Sequence, residues 1–181
     1  QAEKLATIRD WPVPACVADV RSWLGLASYY RRYVWAFSKK AEPLTALTKG
    51  DAVWTWGPEQ QESFETLRDH LLSAPLLAVA DVEGGRDGSR PFRVDTDASG
   101  FSMAGILAQD FGDGFHPVAF ASKTFSQAEA NWTTTERELR AIVFACCEQF
   151  NTYLQGCTYT LRGDHRPLST LLHPGRQLTP K

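Results

Sequence analysis

Nothing in the chain approaches the roughly 18 consecutive apolar residues that a bilayer-crossing helix needs, so no membrane span is expected. The first residue is Gln1 rather than Met, and no charged-then-apolar leader follows it. We therefore expect no secretory signal and read the chain as an excised part of something longer. Cysteine is scarce: Cys16, Cys146, Cys147 and Cys157 form no CxxC pair and no cluster with histidine. That argues against structural zinc and against a disulfide scaffold, and makes a reducing compartment the default. Internal repeats and low-complexity tracts are also missing.

What is present is ordinary globular material. Of 181 residues, 43% are hydrophobic and 22% charged, enough to bury a core in one large domain or two small ones. The net charge of −2 hides a polarised layout: residues 1–50 carry +4, residues 51–83 carry −6, and residues 84–181 are balanced. A basic first third suits an anionic partner.

Gly84-Gly85-Arg86-Asp87-Gly88-Ser89-Arg90-Pro91 is rich in turn formers and has no hydrophobic periodicity, so it reads as a break between two units, 1–83 and 84–181. Before it the periodicity is helical. A helix is predicted from Val17 to Phe37, with Val20, Trp23, Ala27, Tyr30, Val34 and Phe37 on one face. Arg21, Gly25, Ser28 and Arg32 lie on the opposite face, with Tyr29 on its flank. Short helices are predicted from Pro43 to Leu47 and from Pro58 to Ser73, the second ended by Pro75. Trp11, Trp23, Trp54 and Trp56 read as core and inter-helix packing. After the break come strands Phe92–Asp97, Ser102–Gln109 and His116–Ser122, with a hairpin turn at Gly112-Asp113-Gly114. A helix is predicted from Thr134 to Phe150, with Leu139, Ile142, Val143, Cys146 and Phe150 on its apolar face. A strand Thr158–Gly163 and a short helix Pro167–Leu172 follow. The order βββαβα predicts an α/β (α+β) fold, a mixed sheet with flanking helices behind a small helical unit.

Three carboxylates stand at positions where the fold could gather them. Asp97 and Asp164 end strands, and Glu138 lies near the start of the long helix. Such a cluster repels itself unless divalent cations neutralise it, and all-oxygen ligands suit Mg²⁺ or Mn²⁺. Spacing alone equally allows two turn residues and one acid near a helix N-terminus. Both readings stay open at this level.

The residues then meet a known family. Phe92-Arg93-Val94-Asp95-Thr96-Asp97-Ala98-Ser99, Pro117-Val118-Ala119-Phe120-Ala121-Ser122-Lys123, Asn131-Trp132-Thr133-Thr134-Thr135-Glu136-Arg137-Glu138-Leu139 and Gly163-Asp164-His165-Arg166-Pro167-Leu168 resemble the ribonuclease H domain of gypsy-type long-terminal-repeat retrotransposons and their retroviral relatives. The run Arg21-Ser22-Trp23-Leu24-Gly25-Leu26-Ala27-Ser28-Tyr29-Tyr30-Arg31-Arg32-Tyr33 resembles the thumb and connection of the reverse transcriptase that precedes it. The resemblance covers nearly the whole chain, in order.

It implies catalytic and metal-binding roles for Asp97, Glu138 and Asp164 around two Mg²⁺ or Mn²⁺ ions, with His165 and Asp95 as auxiliary residues. It also implies that Arg21, Gly25, Tyr29 and Arg32 follow nucleic acid. Gly lets the backbone approach sugar, Arg pairs with phosphate, and an aromatic packs on ribose. The implied activity is hydrolysis of the RNA strand of RNA–DNA hybrid during RNA-directed DNA synthesis. The implied partners are hybrid, template–primer duplex and the upstream polymerase domain of the same polyprotein, with a dimer left open. The implied location is cytoplasmic, in a virus-like particle, with an optional nuclear phase. The family's polymerase Tyr-x-Asp-Asp motif does not occur here. A fourth acid, carried on a later strand and helix, is expected to be missing with that strand, and Gly163 stands where the family more often has Thr. The alternatives are a non-catalytic nucleic-acid-binding module and a domesticated or decayed interaction module.

Overall fold

The structure, a computed structural model, describes residues 2–73 and 77–163. Asp164, His165, Pro75 and the predicted helix Pro167–Leu172 lie outside the described residues.

The first unit is helical: α1 Ala2–Arg9, α2 Val17–Tyr29, a 3₁₀ turn Arg31–Tyr33, α3 Phe37–Lys40, α4 Glu42–Ala46 and α5 Pro58–Leu72. Pro58 opens α5 with a preset φ and no N–H to satisfy, and Gln60 accepts a hydrogen bond from the Gly57 amide at 3.0 Å. The apolar stripes of α2 (Val20, Trp23, Ala27) and α5 (Phe64, Leu67, Leu71) meet around Leu44, all of them buried. Trp23 and Phe64 lie 4.9 Å apart and tilted, with Trp11 and Trp56 against the same pair. The tryptophans are packing residues, as their sequence context suggests.

Two helices differ from the sequence expectation. The predicted Val17–Phe37 helix ends at Tyr29: Val34 is extended and Ala36 takes a left-handed conformation at φ 50°. Val34 and Phe37 still reach the core, but through a bent chain rather than a continuous stripe. The turn-rich break is helical in its first half, as α6 Val82–Asp87, capped by the Asp81 carboxylate accepting from the Gly84 amide at 2.9 Å. Its glycines serve close approach: a Cβ on Gly85 would sit 2.3 Å from the Phe92 ring. The fully buried Gln109 ties this helix down. Its amide accepts from Asp81 N at 2.8 Å and donates to the carbonyls of Asp81 and Arg90.

The second unit is a four-stranded mixed sheet, β1 Phe92–Ala98, β2 Ser102–Asp110, β3 Phe115–Thr124 and β4 Tyr159–Arg162, in the order β3-β2-β1-β4. The first three strands are antiparallel, and β4 runs parallel to β1. One face, carrying Phe92, Val94 and Leu107, is covered by α8 Thr134–Val143, a π-helical segment Phe144–Gln149 and α9 Asn151–Leu154. The short α7 Gln127–Ala130 precedes α8. A side chain at Gly105 would come within 2.8 Å of Ala145 Cβ, so helix and sheet touch there without a spacer. The predicted apolar face of α8 is rotated: Glu138 and Ala141 are buried, whereas Val143 is 40% exposed and Leu139 half-buried. Glu138, which the sequence puts at the edge of the apolar face one turn before Ile142, lies within the buried one.

The opposite face of β2 and β3 packs on the helical unit. The Arg31 guanidinium donates to the Ser122 carbonyl and to Ser38 Oγ, and the Ser38 amide donates to Ser122 Oγ at 3.1 Å. Both serines are buried. A second tie runs from the Ala78 amide to the Pro117 carbonyl at 2.9 Å.

Two stability predictions follow from these contacts. Ser122→Ala leaves the buried Ser38 amide without its acceptor and should cost about 1–3 kcal/mol in urea unfolding; an unchanged midpoint would mean that the Ser38–Ser122 bond contributes nothing. Glu129 accepts from the Ser126 amide and hydroxyl and from Arg140, which hold its pKa down to about 2 from an ordinary 4.5. The unfolded chain binds that proton first, so this contribution is present above about pH 4.5 and is lost as the pH falls through 2. Glu129→Gln should flatten the acid limb of the stability curve in that window, read by urea midpoints against pH.

Candidate functional site

Strand alternation puts Arg93, Asp95 and Asp97 on the face of β1 turned away from α8. Asp97 stands one residue before the end of β1, half-buried, with no hydrogen-bond or ion-pair partner among the described residues. Asp95 is engaged: Arg93 Nε lies 2.9 Å from one carboxylate oxygen and Arg162 Nε 3.7 Å from the other. Arg93 also stacks over the Phe115 ring at 4.3 Å. The arginine pair is a feature the sequence reading passed over, although β1 alternation and the β4 partner register would have exposed it.

Glu138 comes from the other layer. Thr133 caps α8 through its hydroxyl, and the Glu136 carboxylate returns to the Thr133 amide at 2.8 Å, which fixes where the helix starts. Ala141, almost one turn after Glu138, packs with Met103 and Ala98, the residue next to Asp97. Arg137 reaches the β1–β2 turn at Gly100. Glu138, only 5% exposed, and Asp97 are thus brought to the same end of the sheet from its two sides. Among the described residues no three acidic, histidine or cysteine side chains form a metal-sized group, and Asp164 and His165 lie outside those residues. The two donors present are carboxylate oxygens, one of them without a partner among the described residues, a set that fits a hard divalent cation.

On the helical unit, Arg21, Gly25 and Tyr29 are exposed along α2. Tyr29 is 75% exposed and meets Tyr30 edge-on at 5.0 Å. A Cβ at Gly25 would meet nothing within 4 Å, so packing does not require glycine there. Arg21 donates to the Thr48 carbonyl at 3.2 Å. Arg32 does not continue the α2 face. It lies in the 3₁₀ turn, bonds the Tyr33 hydroxyl at 2.9 Å and stacks on that ring, because the helix breaks where Arg31 turns toward β3.

Residues 56–161 match the family described as the RNase H-like domain found in reverse transcriptase. The retrovirus-related Pol polyproteins from transposons 412 and gypsy of Drosophila melanogaster are each 33% identical to this chain, over 98% and 92% of it. The Pol polyprotein of Feline endogenous virus ECE1 is 35% identical over 76%. The chain spans only 14%, 16% and 13% of these relatives. Among solved structures, the foamy viral protease-reverse transcriptase in complex with RNA/DNA hybrid superposes with a TM-score of 0.68 at 23% identity, covering 99% of this chain and 24% of that one. The same protein in complex with dsDNA gives 0.67 at 23%, covering 99% and 37%. At these identities the superposition establishes the fold.

Gly25 offers a separation of stability from binding. Gly25→Ala should stabilise α2 by about 1 kcal/mol, since the added methyl meets open space. If the bare backbone serves close approach of nucleic acid, the same variant should bind RNA–DNA hybrid more weakly, as read by fluorescence anisotropy. Equal affinity with the gain in stability would remove Gly25 from the interface.

Proposed function

The chain belongs to the family of RNase H-like domains found in reverse transcriptases, and from that premise we propose that it holds RNA–DNA hybrid and, within a longer Pol polyprotein, serves hydrolysis of the RNA strand. The observation that carries the reading is the approach of Asp97, which has no partner among the described residues, and a buried Glu138 to one end of the sheet.

Asp97 and Glu138, joined by Asp164 on the family's pattern, would hold two Mg²⁺ or Mn²⁺ ions, which supply a Lewis acid and a water acidic enough to attack phosphate. Glu138, withdrawn from solvent, attracts a cation more strongly than a surface carboxylate does. Asp95, held between two arginines, keeps its charge occupied and leaves Asp97 as the acceptor on that face. His165 keeps an auxiliary role on this reading. Along α2, Arg21 addresses phosphate, Tyr29 packs on ribose and Gly25 admits the backbone, with Arg32 contributing from the adjoining turn. Only the RNA strand carries a 2′-hydroxyl, and that group distinguishes it from DNA. On the same reading the chain works beside the polymerase part of its polyprotein, in a cytoplasmic particle.

The test uses the reverse transcriptase that contains this chain, with RNA–DNA hybrid labelled on the RNA strand. Cleavage should require Mg²⁺ or Mn²⁺ and spare the DNA strand. Asp97→Asn should abolish cleavage while hybrid binding stays largely in place. A wild-type protein that binds hybrid yet cleaves nothing in either metal would make this a binding module.

A further inference from the structure

We infer that Arg137 is a phosphate-binding residue of the hybrid site, seated on the β1–β2 turn beside Asp97 and Glu138; the inference rests on the reading of this end of the sheet as a hybrid-binding site. Arg137 lies in the second turn of α8, immediately before Glu138, and its guanidinium crosses to the turn that follows Asp97. One terminal nitrogen sits 3.4 Å from where a Gly100 Cβ would be. At that distance a methyl at Gly100 would only touch the guanidinium, whereas a larger side chain would compete for its place.

The turn itself is a rigid platform. Ser99 Oγ accepts from the Phe101 amide at 3.1 Å and the Ser102 amide at 2.9 Å, and the Phe101 carbonyl accepts from the Phe125 amide at 2.8 Å. Ser99 thus closes the turn on itself, and Arg137 adds a cationic donor beside it. Arg137 is under-used by its own fold. Its Nε is buried and has no hydrogen-bond partner, its one hydrogen bond is a long 3.5 Å contact to Thr134 Oγ1, and no carboxylate pairs with it, all among the described residues.

The other described arginines of the sheet unit differ. Arg86, Arg90, Arg93, Arg140 and Arg162 each face a carboxylate, and Arg140 faces two. A guanidinium without a counter-ion among the described residues, set against a preformed turn next to two acids, has the chemistry to take an anion that enters with the cations those acids attract. Planar donors match the non-bridging oxygens of a phosphodiester. A strand whose reacting phosphate lies at Asp97 carries a neighbouring phosphate of this kind, and Arg137 would fix its position.

Hybrid affinity of the chain is measured by fluorescence anisotropy across a salt series at constant Mg²⁺. Arg137→Gln should weaken binding several-fold and reduce the slope of log affinity against log salt by about 0.9, the loss of one phosphate contact. Arg137→Lys should restore the slope. Gly100→Leu, which keeps the charge but displaces the guanidinium, should act as Arg137→Gln does, and it decides the matter if Arg137→Gln does not fold. Unchanged slope and affinity in Arg137→Gln or Gly100→Leu, with wild-type hybrid binding intact, overturns the role of Arg137 and leaves the proposed function standing. Absence of hybrid binding by the wild-type chain overturns both.

Discussion

One side chain sets how the two halves of this molecule meet. Arg31 leaves the helical unit and donates to the backbone carbonyl of Ser122 on β3, with Ser38 and Ser122 hydroxyls closing the seam beneath it. Burial lowers the guanidinium's pKa, but an arginine stays charged at any ordinary pH. Arg31 is itself solvent-exposed, so its bond to the Ser122 carbonyl acts together with the buried Ser38–Ser122 pair rather than alone. Together with the Ser38–Ser122 bonds and the bond from Ala78 to Pro117, it ties the helical unit to the sheet. With it, the exposed face of α2 has a fixed relation to Asp97.

The break in the first helix is the consequence. A continuous helix from Val17 to Phe37 would carry Arg31 around its own axis. The 3₁₀ turn and the left-handed Ala36 instead aim Arg31 at β3 while Val34 and Phe37 still reach the core. Arg32 is turned out of the α2 stripe by the same bend and stacks on Tyr33. The second structural commitment is Glu138. Its near-complete burial in α8 trades solvation for a fixed place at the end of β1, an arrangement that makes sense beside a cation.

Much of this was legible in the sequence because strands and capped helices declare themselves locally. The alternation in β1 to β3, the glycines of the hairpin and the Pro58 start of α5 all appear at or within two residues of their expected bounds. What escaped depends on long-range contacts. Gly84 and Gly85 read as turn formers, but they lie in a helix capped by Asp81, where Gly85 leaves room for the Phe92 ring and Gly84 for Asp81 and Arg90. The buried face of α8 turns further toward Glu138 than its apolar residues indicate, which leaves Leu139 half-buried and Val143 exposed. Asp97 and Glu138 were legible as candidates through resemblance. Their approach to one sheet end, the occupied state of Asp95 and the seat of Arg137 are visible only once the layers are stacked.

The central claim is that Asp97 and Glu138 serve one divalent-cation centre that takes two ions. Calorimetric titration of the folded chain with Mg²⁺ and with Mn²⁺, in the wild type and in Glu138→Gln, tests it most directly. The account predicts millimolar-range binding in the wild type that is weakened in the variant, with metal-dependent stabilisation against heat falling in parallel. A folded wild-type chain that takes up neither ion, or a variant that binds both as well as the wild type does, would contradict it.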